Sequence, residues 1–279
     1  MNEQVIQLDT GLVHLWESGV ENGHPLLLLH GGFGDAWAQW ADVIPLLAQT
    51  YHVIAPDFPG YGGSESLSPL RYGTLLNWLH ALLDALEIHQ VVVIGQAFGG
   101  LMARLLAAAS PTRVAAVILI NGGVLPHIAL PAQIIARIPG VGNTLLNRVA
   151  RTTTSRATLE EAFNDQTPLT ETFVDNVRHH SGALARIMRM MTTQTVPAEN
   201  CPRVPTLLLW GESDTLAPFA VAEYIQSEIP GAQIAPLAEC GHMPHVETPD
   251  VLATQIEFFL RNIDRTHHSL HVGKLDEPG

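Results

Sequence analysis

The sequence predicts an α/β fold with a doubly wound, mostly parallel sheet of about eight strands. Short runs rich in Leu, Ile and Val recur along the chain, and turns lead from them into helical stretches. Continuous apolar strands that alternate with helices are typical of a parallel sheet covered on both faces. The length of 279 residues and the hydrophobic share of 47% allow a large buried core.

The first predicted element is an antiparallel hairpin at the edge of the sheet. Residues 5–17 alternate polar and apolar side chains around Asp9-Thr-Gly11, a pattern that indicates strands with one solvated face. Buried strands are predicted at 25–30, 52–57, 90–95, 114–120, 206–210 and 233–237. Helical sequence at 37–49, 74–86 and 98–109 separates the first four of them. We assign residues 1–123 and 200–266 to this core.

Residues 124–199 interrupt the alternation of strands and helices. The segment has seven arginines and six acidic residues, whereas the whole chain carries a net charge of −13. Its predicted helices are 132–138, 144–151, 159–164, 170–179 and 182–193. We interpret the segment as a helical cap inserted into the core, and we expect residues 267–279 to form a loose tail.

One glycine-rich turn joins a buried strand directly to a helix. Its sequence is Gly95-Gln-Ala97-Phe-Gly99, and glycine is expected at both ends because so tight a turn leaves no room for side chains. The turn resembles the nucleophile elbow, Gly-x-Ser-x-Gly, of the α/β-hydrolase family. In that family the central residue is a serine, or sometimes cysteine or aspartate. Here it is Ala97, whose methyl group cannot attack a carbonyl carbon.

Two explanations of Ala97 stay open. An engineered Ser→Ala substitution would keep the backbone and remove one oxygen, as is done to trap a substrate complex. Alternatively, the protein is naturally non-nucleophilic, although glycine would then relieve the strained backbone of an elbow. On either explanation, we expect the chain as given to be unable to act through residue 97 as a nucleophile.

Two later segments resemble the loops that carry the acid and the histidine of the family. Asp214 lies in a Gly-x-x-Asp-x-x-x-Pro stretch after a buried strand, and His242 lies in Gly-His-x-x-x-x-Glu-x-Pro before the last helix. The resemblance implies that Asp214 orients His242, which takes the proton of a nucleophile or of water. Glu212 and His245 are the neighbouring alternatives. Some relatives place the acid one strand earlier, but Asn121 occupies that position and an amide cannot carry the charge.

A third stretch resembles the oxyanion turn of the family. The sequence His30-Gly31-Gly32 follows an apolar strand, and the resemblance implies that the backbone N–H groups of Gly32 and Phe98 bind the oxyanion. Phe33 and Trp37 follow this turn and are candidate substrate-binding residues; core packing is the alternative for Trp37. The turn at residues 57–64 also resembles the family, and we assign it a structural role.

The family resemblance implies a hydrolase of small, largely apolar esters or lactones that acts through a Ser-His-Asp acyl-enzyme mechanism. One alternative is a C–C bond hydrolase of a diketo-acid type of substrate, whose carboxylate the cap arginines would receive. Another is a non-hydrolytic protein, either a ligand binder or a lyase or cyclase with His242 as a lone base. Epoxide hydrolases and dehalogenases are not favoured, because these relatives need an aspartate at position 97.

Composition limits the partners. A net charge of −13 argues against nucleic acid and anionic membrane surfaces. Neither metal-ligand spacings nor a nucleotide-binding glycine motif is present, so we expect no metal and no cofactor. We expect a small-molecule substrate, and a monomer or homodimer. The N-terminus does not resemble a signal peptide, and Cys201 and Cys240 do not form a disulfide-like pattern. We expect free thiols and a cytoplasmic location.

Overall fold

The computed structural model describes the backbone of residues 1–272 and the side chains of residues 1–263. Its single sheet has eight strands in the order β1-β2-β4-β3-β5-β6-β7-β8. The strands are β1 Asn2–Leu8, β2 Gly11–Ser18, β3 Pro25–Leu29, β4 His52–Pro56, β5 Val91–Gln96, β6 Val114–Ile120, β7 Thr206–Gly211 and β8 Gln233–Leu237. The pairs β1–β2 and β2–β4 are antiparallel, and the other pairs are parallel. The predicted fold class and the edge hairpin are confirmed.

Helices cover both faces of the sheet. They are α1 Ala36–Trp40, α2 Ile44–Leu47, α3 Tyr72–Ala85, α4 Phe98–Ala109, α5 Leu130–Arg137, α6 Val141–Thr153, α7 Arg156–Ala162, α8 Glu171–His179, α9 Ser181–Thr193, α10 Phe219–Glu228, α11 Pro244–Glu247 and α12 Pro249–Val272. One buried cluster joins the sheet to α3, α4 and α10, and a second joins the other face to α1, α2 and α12. The sheet is therefore doubly wound, with an apolar core on each side.

Five helices, α5 to α9, are inserted between β6 and β7, where the sequence predicts five. A third apolar cluster joins α7 and α8 to Phe33 and Met243, which lie on loops at the carboxyl ends of the sheet strands. In open parallel sheets, ligands bind at the carboxyl ends of the strands. The inserted helices therefore lie over the edge of the sheet at which a site is expected.

The C-terminal prediction needs a correction. The last helix continues to Val272, so the tail expected from residue 267 begins inside α12. A 24-residue helix needs an apolar stripe against the core, and Leu252, Ile256 and Phe259 supply it. Residues 273–279 lie outside the described residues. Over the described part of the chain, no helix combines the length and the apolar character needed to span a bilayer.

Candidate active site

The strand-to-helix turn at Ala97 has a strained backbone. Ala97 separates β5 from α4 and has φ 45° and ψ −109°, a combination that residues with a side chain rarely adopt. Its N–H donates to the carbonyl of Ile120 at 3.0 Å, and its own carbonyl accepts from Leu101 at 3.1 Å. The turn therefore lifts the side chain of residue 97 out of both the strand and the helix.

Close backbone contacts hold this turn in place. A Cβ on Gly95 would lie 2.2 Å from the carbonyl oxygen of Gly99, and one on Gly99 would lie 2.1 Å from that of Leu29. On the other side, a Cβ on Gly122 would lie 2.4 Å from the backbone nitrogen of Ala97. Side chains at these positions cannot be accommodated, which confirms the predicted need for glycine at 95 and 99.

The structure brings Asp214 and His242 together. Nδ1 of His242 lies 2.8 Å from Oδ2 of Asp214, and both side chains are buried. Oδ1 of Asp214 accepts hydrogen bonds from the N–H groups of Leu216 and Ala217 at 2.8 and 2.9 Å. Burial opposes the ionisation of Asp214. Its pKa is nevertheless lowered by the hydrogen bond from His242, by the charge of that histidine and by the amide donors. The pair therefore contains a carboxylate whose ionised form is stabilised where it faces the histidine.

Asn121 is a site residue that the sequence reasoning rejected. Its Nδ2 donates to Oδ2 of Asp214 at 2.6 Å, and its Oδ1 accepts from the N–H of Gly211 at 3.2 Å. Asn121 has φ 42°, a second strained position close to the elbow. The amide cannot replace the acid, as predicted, but it supports the acid from the neighbouring strand. The signal was its position, which is where some relatives carry the acid.

The loop that bears His242 is tied to the elbow and to the inserted helices. Gln96, the residue before Ala97, donates its side-chain N–H to the carbonyl of His242 at 2.9 Å. The N–H of His242 donates to the carbonyl of Ala162, at the end of α7, at 2.8 Å. The ring of Phe33 lies edge-on to the imidazole, with 6.1 Å between the ring centroids. The predicted site residues Ala97, His242 and Phe33 therefore belong to one connected region.

Glu247 is a second residue whose role the sequence did not reveal. Its carboxylate accepts from Gly241 at 3.1 Å and from Met243 at 3.3 Å, on both sides of His242. The same carboxylate accepts from Asn164 at 2.8 Å and from Asp165 at 3.1 Å, in the loop after α7. One side chain therefore joins the histidine loop to the inserted helices.

The turn after β3 lies against the elbow, as the oxyanion prediction requires. A Cβ on Gly31 would lie 3.3 Å from the Cβ of Ala97, and Phe98 is the first residue of α4. A Cβ on Gly32 would lie 2.7 Å from Leu184 of α9, so an inserted helix covers this turn. Amide N–H groups at this turn and at the first residue of a helix suit a developing negative charge. The assignment of Gly32 and Phe98 as donors stays a prediction.

The neighbouring alternatives differ in their surroundings. Glu212 is exposed, whereas Asp214 is buried. His245 is fully buried, its Nε2 lies 3.1 Å from Oε1 of Gln39, and burial lowers its pKa to about 3. His245 is therefore neutral and structural, and the structure places His242 against the acid.

Trp37 is 43% exposed, and its ring lies 4.2 Å from that of Trp16 on β2. This contact with the edge hairpin supports the packing alternative for Trp37. Its assignment to substrate binding stays a prediction. The turn at residues 57–64 is held by Asp57, which accepts from Ala36 at 2.8 Å and from Gly63 at 3.1 Å. A structural role for this turn agrees with these contacts.

Both cysteines are free, with Cys201 exposed and Cys240 buried. Burial raises the pKa of the Cys240 thiol to about 12, so this side chain is a thiol at neutral pH. Among the described residues, no group of three or more His, Cys, Asp or Glu side chains is arranged to hold a metal ion.

Known proteins share this fold and up to about a third of this sequence. The family model of the alpha/beta hydrolase fold matches residues 24–249. The 2-hydroxymuconate semialdehyde hydrolase of a Pseudomonas species is 29% identical, over 90% of this chain and 91% of that protein. The pimeloyl-(acyl-carrier protein) methyl ester esterase of Aromatoleum aromaticum is 30% identical, over 86% of this chain and 99% of that protein. The crystal structure of the enol-lactonase from Burkholderia xenovorans superposes with a TM-score of 0.73 at 22% identity, covering 92% of this chain and 100% of that one.

Proposed function

Because this chain belongs to the α/β-hydrolase fold family, we propose that its site hydrolyses small, largely apolar esters or lactones through an acyl-enzyme. The observation that carries the proposal is the pairing of buried Asp214 with His242 on a loop bonded to the strained turn at Ala97. A strained residue costs roughly 1–3 kcal/mol and a buried carboxylate needs partners. Nucleophilic catalysis uses both features together.

The mechanism requires a serine at position 97. Its hydroxyl would attack the acyl carbon while Nε2 of His242 takes the proton, and Asp214 would stabilise the imidazolium that forms. The N–H groups of Gly32 and Phe98 would hold the oxyanion. His242 would then protonate the leaving alcohol, and water, activated by the same histidine, would hydrolyse the acyl-enzyme.

Alanine at position 97 is, in this proposal, a Ser→Ala substitution that leaves a disabled copy of the enzyme. Alanine removes only the hydroxyl oxygen and keeps the elbow at φ 45°, where glycine would relieve the strain. The chain as given would therefore still bind substrate. The codon for residue 97 in the gene distinguishes this origin from a natural alanine.

A C–C bond hydrolase is the alternative within the same family, and it would need a cation for the substrate carboxylate. Some of the seven arginines of the inserted helices have other contacts: Arg156 pairs with Glu171, and Arg178 lies 3.9 Å from Asp175. Arg186 donates to the carbonyl of Leu67. These contacts favour the ester or lactone substrate. The similarity to the Pseudomonas 2-hydroxymuconate semialdehyde hydrolase, at 29% identity, is the observation that favours the C–C alternative.

A natural non-hydrolytic protein is the alternative from another class, and Ala97 itself favours it. Nδ1 of His242 faces Asp214, so Nε2 could act as a lone base in a lyase or cyclase. A pure ligand binder would have no need of the pair.

The test compares the parent chain with Ala97→Ser on short-chain p-nitrophenyl esters and a panel of lactones. We expect the serine variant to exceed the parent by at least about 1,000-fold in kcat, and His242→Ala in that background to remove most of the gain. Ala97→Gly is the matched control, because it relieves the elbow without adding a nucleophile. A serine variant that stays as inert as Ala97→Gly on all esters and lactones would overturn the proposal.

A further inference from the structure

The outward side of α5 and α6 carries a concentration of exposed apolar side chains. Among the described residues, 17 large apolar side chains are exposed, and seven of them fall within positions 130–149. They are Leu130, Ile134, Ile135, Ile138, Val141, Leu145 and Val149. We call these seven residues the α5–α6 face. Exposed apolar side chains that are concentrated in one part of a protein often mark sites of interaction.

The spacing of these residues places them on one side of each helix. Residues 130 and 134 are four apart along α5, Ile138 directly follows the end of that helix, and residues 141, 145 and 149 are four apart along α6. Residues four apart lie one above the other on a helix surface. The opposite side of the pair is used for packing, since Ala136 and Ala150 are buried and Ala150 packs against Leu184 and Ala185 of α9. The exposed stripes are therefore not needed to hold the two helices to the protein.

The charge around the α5–α6 face is opposite in sign to that of the whole chain. Residues 88–159 contain no Asp or Glu, although the chain has 27 of them. Arg137, Arg148 and Arg151 are exposed beside the apolar stripes. Within the described part of the chain, the ion pairs involve other arginines, such as Arg104 and Arg156. The face is therefore apolar, is flanked by arginines that form no ion pair among the described residues, and belongs to a chain with a net charge of −13.

A cavity of about 230 Å³ lies between α6 and α9. Arg186 and Arg189 line it together with Asn143 and Asn147. Nη1 of Arg189 donates to Oδ1 of Asn143 at 2.6 Å and to the carbonyl of Ala136 at 3.1 Å. The lining of the cavity contains two arginines and no carboxylate among the described residues, so its charge is positive.

We propose that the α5–α6 face docks the protein on anionic phospholipid surfaces. Apolar helix faces flanked by arginine bind where acyl chains meet charged head groups, since the apolar side enters the boundary and the cations meet the lipid charge. The net charge of −13 led to the opposite expectation, because a total does not record where the charges lie. Pairing this face with that of a second copy would bring the same arginines against one another, which disfavours that occupant.

Docking would place the lipid close to the inserted helices that cover the candidate active site. The inner side of α6 packs on Leu184 of α9, and Leu184 in turn covers Gly32. The α5–α6 face is thus one helix layer from the turn assigned to the oxyanion. The docking proposal goes beyond the proposed function and does not depend on it, because lipid binding is measured on the chain without turnover.

The test is co-sedimentation of the full chain with phosphatidylcholine vesicles, with and without about a third of phosphatidylglycerol. We expect binding only to the anionic vesicles and its loss at high salt. Ile134→Ser with Leu145→Ser should weaken this binding by about tenfold or more, and Arg148→Gln with Arg151→Gln by several-fold. Phe258→Ser and Arg178→Gln are the matched controls, because both residues are exposed outside the face.

Binding that depends on the face and not on the two controls would support the proposal. A parent chain that does not bind anionic vesicles would overturn it. So would equal losses in the face variants and in the controls, since the binding would then not be localised. A dimer in size-exclusion chromatography that Ile134→Ser with Leu145→Ser dissociates, in a chain that ignores lipid, would assign the face to a second copy instead. The arginine variants keep the test valid if the serine variants fold poorly.

Discussion

Two buried aspartate–histidine pairs in this fold have nearly the same geometry. Nδ1 of His242 lies 2.8 Å from Oδ2 of Asp214, and Nδ1 of His14 lies 2.7 Å from Oδ2 of Asp57. The second ring nitrogen of His14 lies 2.8 Å from Glu3. The hydrogen bond to Asp57 raises the pKa of His14 to about 9. The contact with Glu3 adds to this shift, and burial opposes it. His14 is therefore an imidazolium at neutral pH, with both nitrogens occupied.

The other pair differs in what surrounds it. Asp214 receives its further hydrogen bonds from neutral donors on Asn121, Leu216 and Ala217, and His242 meets a single carboxylate. No hydrogen-bond partner of Nε2 of His242 is found among the described residues. A base needs a free nitrogen toward its substrate. The contact between aspartate and histidine therefore does not distinguish a base from a structural imidazolium; the environment of the second ring nitrogen does.

The largest expected effect separates the two histidines by activity. In the Ala97→Ser background, His242→Gln should lower kcat by about 1,000-fold or more, because the proton acceptor is lost. His14→Gln in the same background should change kcat by less than about threefold, since His14 contacts only structural groups. Steady-state hydrolysis of a p-nitrophenyl ester measures both. Comparable losses in the two variants would mean that the pairs are not functionally distinct.

A smaller loss is expected when the support of Asp214 is removed. Asn121→Gly and Asn121→Ala both delete the amide that donates to Asp214. In the Ala97→Ser background, each should lower kcat by roughly 10- to 100-fold with little change in KM. Glycine adopts φ 42° without strain and alanine only with strain, so Asn121→Gly should be more stable than Asn121→Ala by about 1 kcal/mol.

Equal activity loss with unequal melting temperatures would separate positioning from strain at Asn121. An activity loss that follows the melting temperature would contradict the positioning role. The pH dependence of kcat supplies the further measurement, because a merely structural defect leaves its shape unchanged.

The pH dependence of stability should report the other pair. The pKa of His14 in the folded protein is about 9, above its ordinary value of 6.5. The contribution of protonated His14 to the free energy of unfolding is therefore complete below about pH 6.5 and is lost as the pH rises through about 9. His14→Gln should therefore cost roughly 1–2 kcal/mol of unfolding free energy near pH 6.5 and much less near pH 10. Urea unfolding of parent and variant across this range measures the difference. A cost that does not change with pH would refute the imidazolium.

The smallest effect is expected at His245. Its pKa of about 3 keeps it neutral over the working range, so no proton step at neutral pH passes through it. In the Ala97→Ser background, His245→Gln should leave the shape of the pH profile of kcat unchanged and alter kcat by less than about threefold. A shift of the profile would show that His245 takes part in the proton transfer that we propose for His242.

Much of the fold could be predicted because its signals are local. Buried parallel strands are short apolar runs, so the strands from β3 onward, the helices between them and the five inserted helices could be placed from periodicity. The elbow could be recognised because both of its glycines are required by close backbone contacts. The contact at Gly95 is local, with the carbonyl of Gly99, whereas the contact at Gly99 is with Leu29 of β3. Asp214 and His242 were found from motifs that lie next to buried strands.

Long-range contacts were decided only by the tertiary structure. Asn121 is 93 residues from Asp214, and the two meet because β6 and β7 are neighbouring parallel strands whose carboxyl ends share one edge. Glu247 meets Asn164 only because the inserted helices fold back over that edge.

The α5–α6 face shows the same division between sequence and structure. The sequence contains its apolar residues and lacks acidic residues near them. The exposure of the apolar residues depends on which side of α6 packs against α9. Periodicity names the residues that share a helix face, and packing decides which face water reaches.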